Sequence, residues 1–103
     1  MTPAERIQAL HDWYGQAMGT KFPLRQDSER YWFDWIAAGY NGKQLRKVMS
    51  WLRREISAGR RNPGSLKLRN LLNPESFAED LVLCGANLDP DTKLPPSLPH
   101  ERL

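Results

Sequence analysis

Between Lys43 and Arg69 the chain places nine bases, Lys43, Arg46, Lys47, Arg53, Arg54, Arg60, Arg61, Lys67 and Arg69, against a single acid, Glu55. That window is net +8; with the whole chain at +3, the residues outside it carry −5. Guanidinium and ammonium groups at this density neutralise phosphates, and so lopsided a field is a statement about partners rather than about fold. Nucleic acid is the commonest polyanion that such a field meets. Two readings compete with it: another acidic partner, and a solvated face built from residues that are good helix formers. Solvated faces usually interleave both signs, however, and only Glu55 does so here.

Other chemistries lack their partners. The pair His11-Asp12 has the look of a metal phosphohydrolase motif, but the only other histidine is His100, so a four-coordinate site is short of ligands. Cys84 has no second cysteine and no base beside it in sequence. Glu79 and Asp80 are neighbours that project in different helical directions, so they make no acid/base pair. No glycine pattern of a phosphate-binding or dinucleotide loop is present. The expectation is a non-enzymatic protein with no metal and no cofactor.

Around the bases, three features carry alternatives. The loop Arg60-Arg61-Asn62-Pro63-Gly64 leads to Ser65, where a helix start would offer free amides to an anion flanked by Arg60 and Arg61. The same two arginines also suit the C-terminal end of the preceding helix, where cations relieve the dipole. Trp51 lies at the border between apolar and basic arcs, near Lys47 and Arg54. It either stacks on a base or, the favoured reading, seals the core edge beneath a cation. The run Tyr31, Trp32, Phe33 and Trp35 has core spacing, with Phe33 pointing away to the surface.

Caps and glycines divide the chain into the helices that must position these groups. Thr2-Pro3-Ala4-Glu5 is a capping box with proline at the first helical position. Ile7, Leu10, Tyr14 and Met18, widened by Trp13 and Ala17, then recur at helical spacing up to Gly19. Lys21 to Gln26 reads as a connector with an extended piece. Asp27 or Ser28 is expected to cap a second helix with Tyr31, Trp32, Trp35 and Ile36 on its apolar face, ending near Gly39. Asn41-Gly42-Lys43-Gln44 opens the third, whose Leu45, Val48, Met49, Leu52 and Ile56 span an arc of about 100°. Arg46, Lys47, Ser50, Arg53, Arg54 and Ser57 take the opposite face, with both serines placed to donate to phosphates. Gly59 ends this helix. A short helix from Ser65 (Leu66, Leu68, Leu71, Leu72) and a last one after Asn73-Pro74-Glu75 (Phe77, Ala78, Leu81, Val82) complete the pattern.

The fold class is therefore all-α, a compact bundle of four to five helices, with one domain over 1–85 and an extended, proline-rich tail over 86–103. No stretch approaches the roughly 18 apolar residues of a membrane span. The opening residues lack the layout of a secretory signal, and a lone cysteine suits a reducing compartment, so the expected location is the cytoplasm.

The run from Gly39 to Val48, followed by Trp51-Leu52 and by Leu68-Arg69-Asn70-Leu71-Leu72-Asn73-Pro74-Glu75-Ser76-Phe77, resembles the conserved C-terminal domain of phage replication proteins. More distantly it is similar to the helical C-terminal domain of DnaD-type helicase-loading primosome proteins. Gly15 to Phe22 looks like the stretch found ahead of that pattern, and the likeness covers roughly Leu10 to Leu83. It implies a helical module that binds DNA, often with replication partners, through the region after the long helix. Carried onto this chain, that region is Lys43 to Arg69. A winged-helix or initiator domain usually precedes the module, whereas here the first helix starts at Thr2, so the resemblance implies DNA contact without origin reading. The combined expectation is a small DNA-binding accessory of phage or mobile-element replication, with DNA a better partner than RNA. The rival is a protein-interaction adaptor or inhibitor, docking its basic surface on an acidic partner with Leu94, Leu98 and Leu103 of the tail as a linear segment.

Overall fold

The computed structural model describes residues 2–85. The tail expected over 86–103 lies outside the described residues, as does His100. Five α-helices and one 3₁₀ turn make up the described part, with no strand among them: α1 (Pro3–Met18), α2 (Gln26–Ala37), α3 (Gly42–Ser57), the 3₁₀ turn (Pro63–Leu66), α4 (Leu68–Leu71) and α5 (Pro74–Cys84).

Local chemistry sets most boundaries. The Thr2 hydroxyl accepts from the Glu5 amide at 3.2 Å and donates to its carboxylate at 3.0 Å, which fixes the start of α1. At α3 the capping box is reciprocal: Asn41 Oδ1 accepts from the Gln44 amide, and Gln44 Oε1 accepts from the Asn41 amide, each at 3.0 Å. Asn73 accepts from the amides of Glu75 and Ser76 and starts α5. After α3, the Gly59 amide returns to Ile56 and the Arg60 amide to Glu55, a closure that places Gly59 at φ 77°.

Two boundaries differ from expectation. Helix α2 begins at Gln26 behind Arg25, which makes no side-chain cap, so neither Asp27 nor Ser28 caps it. Asp27 and Glu29 fall in its first turn instead, where their charges meet the positive end of the dipole. The helix expected from Ser65 is a 3₁₀ turn and a separate four-residue helix, divided by Lys67 in extended backbone (φ −61°, ψ 139°).

The core joins all five helices. Leu10, Trp13 and Tyr14 of α1, Trp32 and Trp35 of α2, and Leu45, Val48, Met49 and Leu52 of α3 pack with Leu71, Leu72, Phe77 and Cys84. Trp35 is edge-on to both Trp32 (5.6 Å, 86°) and Phe77 (5.5 Å, 87°), and Tyr40 lies 4.6 Å from Phe77. Edge-to-face pairs of this kind add to the area they bury. The Trp35 Nε1–H is buried without a hydrogen-bond acceptor among the described residues. Helix α3 packs against α5 and the 3₁₀ turn, and α2 against α1 and α4. Phe33 stands at the surface, as its phase predicts. The end of α5 does not follow its apolar pattern. Val82, expected on the inner face, is 80% exposed, while Asp80 and Cys84 turn inward beside Phe77.

Three side-chain hydrogen bonds tie α1 to its neighbours. Tyr14 donates its hydroxyl proton to the Leu66 carbonyl at 2.7 Å, tying α1 to the 3₁₀ turn. His11 is buried, with Nδ1 accepting from the Trp32 indole at 3.0 Å and Nε2 donating to the Phe22 carbonyl at 2.9 Å. Both ring nitrogens are thus used, which defines one neutral tautomer. Gly15 permits the chain to turn back here: its carbonyl accepts from the Thr20 amide at 2.9 Å, and a Cβ on it would stand 2.7 Å from the Thr20 carbonyl oxygen.

Candidate nucleic-acid interface

At 100° per residue the bases of α3 separate into two rows. Lys43, Lys47 and Arg54 lie within about 40° of one another on the side opposite Leu45. Lys43 and Arg54 are exposed and Lys47 half-buried. Arg46 and Arg53 form a second row on the flank, both half-buried, and Arg53 Nη1 approaches the Ala17 carbonyl at 3.5 Å, at the end of α1. Between the rows sits Ser50, expected to face phosphates. It is fully buried and offers a ligand nothing, because α3 runs through the middle of the bundle and is covered on more than its apolar arc. Ser57 is exposed.

The loop after α3 is built differently from its expectation. Arg60 pairs with Glu55, the one acid of the basic window. Arg61 Nη2 donates to Asp80 Oδ1 at 2.6 Å, and its guanidinium carbon lies 5.2 Å from the centroid of the Trp51 ring. The Asp80 side chain is only 9% exposed, so this pair fastens α5 to the loop. Trp51 therefore takes the edge-sealing position under a cation, and the cation is Arg61 rather than Lys47 or Arg54.

No anion cradle forms at Ser65. Its amide donates to the Asn62 carbonyl, the Gly64 amide donates to Asn62 Oδ1, and the Lys67 amide donates to the Gly64 carbonyl. The polar cleft beside it, about 380 Å³, includes Glu79 and Asp80 as well as Arg61, so two acids meet one base and its net charge does not favour an anion. Lys67 and Arg69 are exposed on the far side of the 3₁₀ turn and on α4. Of the nine bases, then, Lys43, Arg54, Lys67 and Arg69 are exposed, and Lys47 lies half-buried in the same α3 row as Lys43 and Arg54. Arg60 and Arg61 are held by acids, and Arg46 and Arg53 form the half-buried second row of α3.

Burial shifts two groups. Burial pushes the Tyr14 phenol up to about 12. Burial also raises the Cys84 thiol, opposed in part by the positive charge of Lys47 and reinforced by Asp80; its Sγ donates to the Leu81 carbonyl at 3.2 Å. A thiol in that state is not poised as a nucleophile. Among the described residues no three His, Cys, Asp or Glu side chains converge on one point, and no helix is long and apolar enough to cross a membrane.

One feature lay beyond sequence reasoning. Lys67 shares a groove with Arg25, which falls outside the basic window, and with the exposed rings and chains of Phe22 and Met18. No local pattern connects them; the juxtaposition depends on the α1 turn and on the Tyr14 bond to Leu66. Compared with known proteins, the chain matches no family model, no curated protein and no solved structure.

Proposed function

We propose that this protein is a small, non-enzymatic nucleic-acid-binding accessory, with DNA as its principal ligand, and that it serves phage or mobile-element replication inside the cell. The observation that carries the binding reading is the row Lys43, Lys47 and Arg54 on the side of α3 opposite Leu45, together with Lys67 and Arg69, which are exposed beyond the 3₁₀ turn. A row of cations on a rigid, doubly capped helix neutralises phosphates without reading base edges. The replication context rests on the resemblance of Gly39 to Phe77 to phage replication and DnaD-type modules.

A fluorescence titration with a labelled duplex at several salt concentrations tests the proposal. Five neutralised phosphates give a slope of log K against log salt of about −4.5. Lys43→Glu, Lys47→Glu and Arg54→Glu together should abolish binding while leaving helicity unchanged, since none of the three belongs to the buried core. Salt-independent binding, or none, refutes the reading.

A second reading, an adaptor or inhibitor that docks on an acidic protein partner, is favoured by Val82 and Leu83, which are 80% and 62% exposed at the end of α5. Val82→Ser with Leu83→Ser should then prevent capture of a replication protein and leave DNA affinity intact.

A further inference from the structure

A groove of about 380 Å³ lies between the C-terminal half of α1, the connector at 21–25 and the junction of the 3₁₀ turn with α4. Its floor is apolar, with Tyr14, Met18 and Phe22, and Arg25 and Lys67 supply its charge; no carboxylate lines it. Phe22 is 41% exposed and Met18 37%. This exposed aromatic residue is tied to the core at its backbone and touches it at its ring. Its carbonyl is held by the buried His11, which the Trp32 indole holds in turn, and its ring leans on Tyr14 at 5.6 Å and 39°. The backbone of Phe22 is therefore anchored to the core, and its ring lines the same groove as two cations.

We infer that this groove takes an unpaired base of a single-stranded nucleic acid, with Phe22 as the stacking surface and Arg25 and Lys67 on the flanking phosphates. The inference rests on the nucleic-acid reading above and sharpens it, because a base inside a duplex cannot leave its stack to reach Phe22 without unpairing. The two cations suit a polyanion, and the volume stands at the low end for small-ligand sites, enough for a nucleoside and little more. Aromatic stacking with backbone cations is the common arrangement for single strands and tolerates any base. Lys67 belongs both to the groove and to the basic window.

The test uses the full chain with a labelled thymidine 12-mer and a labelled 12-base-pair duplex. The single strand should bind more tightly. Phe22→Ala should weaken it about tenfold, with duplex affinity within twofold of wild type. Phe22→Leu, which keeps an apolar side chain against Tyr14, should lose single-strand affinity with an unchanged melting temperature. Arg25→Gln with Lys67→Gln should lower the steepness of the single-strand salt slope by about 1.4. If both Phe22 variants bind the 12-mer within twofold of wild type while salt-dependent binding of both strands persists, the groove inference falls and the proposed function stands. Failure of the wild type to bind either strand overturns both. Phe22-dependent binding of polyglutamate, without such dependence for the 12-mer, overturns the inference in favour of an acidic peptide.

Discussion

Arg61 separates a structural cation from a ligand-binding one. Replacing it with Gln removes the donor that meets Asp80 at 2.6 Å and leaves a carboxylate that is only 9% exposed. A charge-assisted hydrogen bond contributes about 1.5–3 kcal/mol, and stranding a fully buried partner costs about 3–5 kcal/mol. The Arg61 side chain is one-third exposed, so water moderates the loss toward the lower range. The contact with Trp51 adds about 0.5–1 kcal/mol. Together these put Arg61→Gln at about 2–3 kcal/mol of lost stability. Asp80→Asn should cost only about 1 kcal/mol, because the freed guanidinium reaches solvent. Urea unfolding followed by tryptophan fluorescence measures both, and the double variant gives the coupling, expected at about 1–2 kcal/mol. Each kcal/mol corresponds to about 4–8 °C in melting temperature for a domain of this size. Below its melting point Arg61→Gln should bind nucleic acid as wild type does. A variant as stable as wild type but deficient in binding would refute the reasoning and return Arg61 to the interface.

Tyr14 gives a pH dependence: its raised value means that the unfolded chain releases the phenolic proton first, so stability is intact below pH 10 and falls between 10 and about 12. Tyr14→Phe should flatten that part of the profile, seen by comparing urea midpoints of the two proteins at pH 9 and 11. Gly15→Ala should destabilise the fold by about 1–3 kcal/mol in thermal melts, since the added methyl meets the Thr20 carbonyl oxygen at 2.7 Å. Asn41→Ala should cost about 1 kcal/mol by removing the α3 cap. Cys84, 6% exposed and held in its neutral thiol form, should react with an aromatic disulfide about tenfold or more slowly in the native chain than in urea at pH 8.

Sequence reasoning succeeded where the determinants are local. Thr2, Asn41 and Asn73 cap their own helices, Gly19 and Gly59 close theirs, and the stripe from Leu45 to Leu52 faces the core. It failed where a second element decides. Ser50 falls on the polar arc of α3 by its phase, but burial depends on how many neighbours surround the helix, which one helix cannot state. Val82 is apolar by type and Asp80 is charged, yet Asp80 turns inward because Arg61, nineteen residues earlier, neutralises it. The Asp27 or Ser28 cap lost to a helix that starts one or two residues earlier at Gln26. The bond from Tyr14 to Leu66 spans 52 residues, and the relay from Trp32 through His11 to Phe22 joins three segments. No local signal predicts either, and the groove at Phe22 exists only because of them.

The same distinction changes what the +8 window means. A count treats its nine bases as equivalent, whereas the fold gives Arg60 to Glu55 and Arg61 to Asp80. Those two pairs cancel locally and stiffen the loop and the α5 attachment rather than extending a binding surface. If all nine bases met phosphates, the duplex slope would approach −8; the outward set alone gives about −4.5. The salt dependence therefore measures how the charge is divided between holding the bundle together and facing a ligand. A slope near the smaller value, unchanged by Arg61→Gln and reduced by Lys43→Gln, would assign the first use to the loop and the second to the outward face of α3.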